Sequence, residues 1–119
     1  MAVALIDAEA SLVYFNPATE RLLGLEQAAM GEIRYRELQE LLDYRHADGS
    51  PMKYEERPLW IALYERRPHQ TTIIMHDAGG VPHLFEVTAI PLEGQGGELI
   101  GAMSIFWEAD GAPIPEMPF

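Results

Sequence analysis

The chain contains no cysteine. Disulfides, thiolate metal sites and a cysteine nucleophile are therefore excluded. The absence also fits a reducing compartment. Basic residues are scarce: eight Lys and Arg stand against 19 Asp and Glu, a formal net charge of -11. A nucleic-acid surface needs concentrated positive charge, and this chain would repel a phosphate backbone. Anionic membranes are poor partners for the same reason. A basic protein partner is compatible with the charge, which is read first as a source of solubility. Long hydrophobic runs are missing too. The apolar start, residues 1–6, ends at Asp7, far short of the roughly 20 residues of a membrane span. No Lys or Arg precedes Arg21, so the positive start of a signal peptide is lacking. The expectation is a cytoplasmic domain.

What is present is enough for one packed core. The 119 residues are 48% apolar, which fits a single domain and argues against disorder despite the charge. Residues 2–6 and 11–15 read as two short strands joined by the polar turn 7–10. Asn16-Pro17 then caps and starts a helix of about two turns, because Asn accepts an orphan N–H and Pro lacks one. Gly24 closes that helix, with Leu22 and Leu23 turned inward. Residues 26–31 repeat the pattern as another short helical piece. Leu38, Leu41 and Leu42 at i, i+3, i+4 predict a helix over 36–44 with one apolar stripe. Asp48-Gly49-Ser50-Pro51 is a loop signal. Residues 54–66 form the longest predicted helix, with Pro58 near its first turn.

The second half changes to a strand period. Residues 69–76 are β-branched and apolar at their centre. Asp77-Ala78-Gly79-Gly80 is a turn. Residues 84–92 alternate, with Phe85, Val87 and Ala89 on one face. Residues 99–107 form the last strand, which is apolar on both faces. An antiparallel strand normally keeps one wet face, so two dry faces point to an interface. The order predicts an α+β domain: a five-stranded antiparallel sheet with short helices and one longer helix on one face. The domain is set at 1–110, with 111–119 as a proline-rich tail or linker.

Several stretches, taken in order, resemble the PAS family. Leu5-Ile6-Asp7-Ala8-Glu9, then Leu12-Val13-Tyr14-Phe15-Asn16-Pro17-Ala18 and Arg21-Leu22-Leu23-Gly24, are similar to its opening. Glu56-Arg57-Pro58-Leu59 with Ala62-Leu63 resembles the start of its long helix. Phe85-Glu86-Val87-Thr88-Ala89-Ile90-Pro91-Leu92 and Gly101-Ala102-Met103-Ser104-Ile105-Phe106 resemble its last two strands. The resemblance spans nearly the whole chain and departs in two places. Glu108-Ala109-Asp110 replaces the Asp-Ile-Thr-like step into a signalling helix, and the chain begins at the first strand, without the amphipathic helix that many members carry before it. The resemblance implies a sensory, non-enzymatic module of a bacterial two-component kinase, cyclase or regulator, whose output domain lies outside this sequence. It also implies homodimerisation and a ligand space between sheet and long helix.

In that frame Trp60, Leu63, Tyr64, Met75, Phe85, Val87 and Met103 are the ligand-pocket candidates, with plain core filling as the alternative. Ile100, Ala102 and Phe106 are the dimer-interface candidates. A covalent flavin photoadduct is excluded because there is no cysteine. Haem is disfavoured because residues 54–66 contain no histidine. Non-covalent flavin or another small organic ligand stays open. His76, His83 and Asp77 flank one turn, but their spacing matches no metal motif, so no metal site is assigned. No catalytic residue is assigned either. The serines lack a nucleophile context, and Glu55-Glu56 suits a helix start anyway. Two other functions remain beside the ligand sensor: a ligand-free dimerisation module, and a small isomerase using a carboxylate base.

Overall fold

A computed structural model describes residues 1–26 and 33–109. Ten elements alternate along them. Strands β1 (Ala2–Asp7) and β2 (Leu12–Phe15) form a hairpin, followed by α1 (Pro17–Leu23). Helix α2 (Tyr35–Leu42) leads into the short strand β3 (Arg45–His46). A 3-10 turn (Tyr54–Glu56) precedes α3 (Pro58–Tyr64). Strands β4 (His69–His76), β5 (Pro82–Glu93) and β6 (Leu99–Glu108) complete the domain. All six strands pair antiparallel in the order β2-β1-β6-β5-β4-β3. The sixth strand, β3, is the one the sequence does not announce. Two residues are too few for an alternation signal.

Local chemistry explains the element ends. Asn16 Oδ1 accepts from Thr19 N at 3.1 Å and from Val3 N at 3.0 Å, so one side chain caps α1 and ties it to β1. Gly24 closes α1 at φ 67°, a left-handed conformation that costs glycine nothing. The single helix expected over 54–66 is broken at Arg57. Pro58 pushes the residue before it out of the helical region, and Arg57 sits at φ -82°, ψ 142°. The helix restarts at Pro58 and ends at Tyr64.

The stripe of α2 also differs from the expected one. Tyr35, Leu38, Gln39 and Leu42 are buried, at i, i+3, i+4, i+7, whereas Leu41 is 66% exposed. The predicted helical piece at 26–31 and the proline-rich tail lie outside the described residues, Glu26 excepted.

Strand register fixes the two faces of the sheet, because directly paired residues point the same way. Phe106 pairs with Ala2 and Val87, and Ser104 with Ala4 and Ala89. These residues are buried, so they form the inner face against the helices. Alanines at the centre of that face, Ala89 and Ala102, share one apolar cluster with Leu59, Ala62 and Leu63 of α3. Small side chains opposite larger ones let the helix settle close to the sheet.

Candidate functional site

The candidate site is the space between sheet and helices, and it is nearly full. A cavity of about 20 Å³ remains, lined mainly by apolar side chains that include Phe15, Leu38, Leu42, Met75, Val87 and Phe106. That volume admits about one water. Its polar edge is a pair of phenols. The Tyr35 and Tyr44 hydroxyls lie 3.0 Å apart. Burial pushes both above their ordinary value of 10.0, so both keep their protons.

Behind the phenols stands a buried polar relay. Arg57 Nη1 donates to Gln39 Oε1 at 2.9 Å, and its Nη2 donates to the Met52 carbonyl at 2.8 Å. The Arg57 guanidinium also lies 5.0 Å from the Tyr44 ring centre. Cation–π contact of this kind holds the ring in place. Gln39 is fully buried, and its Nε2 has no hydrogen-bond partner among the described residues. Tyr35, Gln39 and Tyr44 are residues that sequence reasoning missed. The heptad-like spacing of Tyr35, Leu38, Gln39 and Leu42 is the signal that would have found the first two.

The pocket candidates scatter. Met75 and Val87 line the cavity. Phe85 is buried in the same cluster, edge-on to Phe106 at 5.5 Å between ring centres. Leu63 is buried in the second cluster, under α3. Trp60 is half-buried and tilts against Tyr64 at 5.1 Å, and Tyr64 is 52% exposed. Met103 lies on the outer face, since it pairs with Leu5 and Ile90 and alternates with buried Ala102 and Ser104.

The interface candidates require a correction. Ala102 and Phe106 belong to the buried inner face and are not available to a partner. Ile100 is 54% exposed beside the register shift between β5 and β6. The outer face is built from the other parity. Val3, Leu5, Tyr14, Ile90, Met103, Ile105 and Trp107 share it through direct pairing. Because β6 is apolar on both faces, alternation alone could not tell inner from outer.

The histidines occupy separate places. His76 Nδ1 lies 3.1 Å from the Asp43 carbonyl. His83 lies between Asp77 and Glu108, at 2.8 Å and 2.9 Å. His46 pairs with Glu56. Among the described residues no group of three His, Asp or Glu is arranged to hold a metal ion, and no helix is long and apolar enough to cross a membrane.

The comparisons agree on the fold. A family model described as "PAS fold" matches residues 1–110. No curated protein sequence matches the chain. Among solved structures, a PAS domain from Colwellia psychrerythraea is 17% identical with a TM-score of 0.65, covering 91% of this chain and 85% of that one. The PAS domain of the fruit-fly ELK potassium channel is 15% identical with a TM-score of 0.69, covering 90% and 85%. The LOV domain of a blue-light-activated histidine kinase from Erythrobacter litoralis is 19% identical with a TM-score of 0.68, covering 90% and 94%. The light-state dimer of the fungal photoreceptor Vivid also matches, at 20% identity and a TM-score of 0.66, covering 90% and 76%.

The cavity among the described residues, about 20 Å³, is smaller than a three-ring cofactor. The chain offers no cysteine for a covalent flavin adduct. PAS domains are typically sensory or signalling modules. The fold, the register and the family match over residues 1–110 place this chain in the PAS family.

Proposed function

We propose that this domain is a non-catalytic signalling module that works by pairing two copies through the outer face of its sheet. The observation that carries the reading is the apolar strip that β1, β2 and β6 put on that face: Val3, Leu5, Tyr14, Met103, Ile105 and Trp107. Tyr14 and Trp107 stand among its exposed large side chains. Apolar surface of this kind gains free energy when removed from water, at about 25 cal/mol per Å². A second copy supplies a matching face, because a two-fold interface uses the same patch twice. The dimer of Vivid, a protein of similar fold, supports self-association as an arrangement open to this architecture.

In this reading the signal passes to an attached output domain, of histidine kinase, cyclase or regulator type, in the cytoplasm of a bacterium. A filled core favours pairing over ligand capture as the working principle. A small ligand would have to displace side chains from the 20 Å³ cavity.

Sedimentation equilibrium on the wild-type chain and on Ile105→Glu tests the proposal. A charge at the centre of the strip is costly to bury in an interface, and costs little on a free surface. The expected result is a dimer for the wild type and a folded monomer for Ile105→Glu, with unchanged circular dichroism. A wild-type monomer at high micromolar concentration would sink the proposal, as would a variant that dimerises equally well.

A further inference from the structure

His83 on β5 presents both ring nitrogens to carboxylates. Nε2 lies 2.8 Å from Asp77 Oδ2, in the turn between β4 and β5. Nδ1 lies 2.9 Å from Oε1 of Glu108, the last residue of β6. A neutral imidazole has one N–H and one lone pair, so it donates to only one carboxylate. The imidazolium donates to both. The contact pattern is therefore complete only when the ring carries two protons.

The two carboxylates are not equivalent. Asp77 is held by its own turn. Its Oδ1 accepts from Gly79 N at 2.9 Å and from Val81 N at 3.0 Å. The turn is fastened to α1 as well, where Ala78 N donates to the Leu23 carbonyl at 2.8 Å. Asp77 therefore stays in place whatever the ring does. Glu108 is half-exposed at a strand end and is free to swing into water. When the ring loses one proton, the remaining one stays on Nε2, facing the fixed Asp77. The Nδ1 lone pair then faces the Glu108 carboxylate, and that contact opens.

We propose that His83 is a proton-operated clamp, which as an imidazolium fastens the end of β6 to the β4–β5 turn and as a neutral ring releases Glu108 while keeping Asp77. Among the described residues, Asp77 and Glu108 are the charged groups within ion-pair distance of the ring. The other described groups beside the ring are uncharged. Met75 stands opposite on β4, the Phe85 ring centre is 5.9 Å away, and α1 brings Leu23 and Gly24 to the turn. The clamp closes the sheet where the chain leaves β6, so it couples proton concentration to the order of that exit. It does not depend on dimerisation.

Two readouts on the full chain test it. Nitrogen-15 spectra of the His83 ring report which nitrogens are protonated. Hydrogen exchange of the Ala109 amide, which donates to the Leu84 carbonyl at 2.9 Å, reports the order of the β6 end. The ring is expected to be doubly protonated at the acid end of a pH series and to settle as the Nε2–H form at the alkaline end. Over the same range, Ala109 exchange corrected for its intrinsic pH dependence should rise about two- to fivefold, the size of a half-exposed ion pair. Glu108→Gln should abolish that rise. A high-pH ring protonated on Nδ1, a flat wild-type Ala109 profile, or a rise that persists in Glu108→Gln overturns the clamp. The ring spectra need only the wild type, so the test survives a variant that folds poorly.

Discussion

At the scale of single residues, Asp77 shows how one side chain can organise a turn and record pH. Its Oδ1 accepts two backbone N–H groups, and its Oδ2 faces His83. The hydrogen bond from His83 is the main cause that holds its carboxyl below the ordinary value of 3.8, followed by the bond from Val81 N–H. A carboxyl whose folded value lies below its unfolded one adds stability that is fully present above the unfolded value. That stability is lost as pH falls toward the folded value. Asp77→Asn keeps an oxygen for the turn and removes the charge. The variant should therefore be less stable than wild type at neutral pH, and the difference should shrink as pH falls below the ordinary aspartate range. Urea midpoints at a series of acid pH values measure this. A constant gap would mean that the charge plays no part. The proximity of Asp77 and His83 was open to view in the sequence, because a Gly-Gly turn folds positions six apart onto each other. The partner of His76 was not: Asp43 is 33 residues away and reaches it only through the β3–β4 pairing.

At the scale of elements, β1 and β6 approach each other closely at one glycine. Gly101 pairs with Asp7, and a Cβ built on it would sit 2.0 Å from the Ile6 carbonyl oxygen. The obstacle is backbone, so no rotamer change relieves it. Gly101→Ala should destabilise the domain by about 3 kcal/mol, at the upper end of overpacking costs. A lower urea midpoint with unchanged slope is the expected measurement, and wild-type stability would show that the two strands can part locally.

Much at this scale was legible beforehand. The caps at Asn16 and Gly24, the turn at 77–80 and strands β4 to β6 all follow from local chemistry that acts within a few residues. What stayed hidden depends on tertiary contact. Leu41 carries the apolar character of its helix stripe but faces water, while the polar Gln39 takes the buried position and is satisfied in part by Arg57. The alanines and aromatics of β6 are apolar on both sides, and only pairing with β1 and β5 tells which side meets the helices. The cavity therefore has a different wall from the expected one. Tyr35 and Tyr44 replace Trp60, Tyr64 and Met103.

At the scale of the whole molecule, charge and apolar surface pull against each other. Each copy carries a formal net charge of -11, so two copies repel before any contact forms. The outer strip must overcome that repulsion through burial of apolar side chains, which salt does not screen. Repulsion, in contrast, fades over a Debye length of about 8 Å at physiological ionic strength. A dimer held by the outer face should therefore tighten as salt rises, by a few-fold between about 0.05 M and 0.5 M sodium chloride. An interface held by ion pairs would weaken over the same range. The sign of the salt dependence, measured by sedimentation equilibrium, separates the two. Tightening places the apolar strip at the interface. Weakening moves the contact to a surface where the few basic side chains, Arg34 and Arg36 of the helical side among them, meet carboxylates of the second copy.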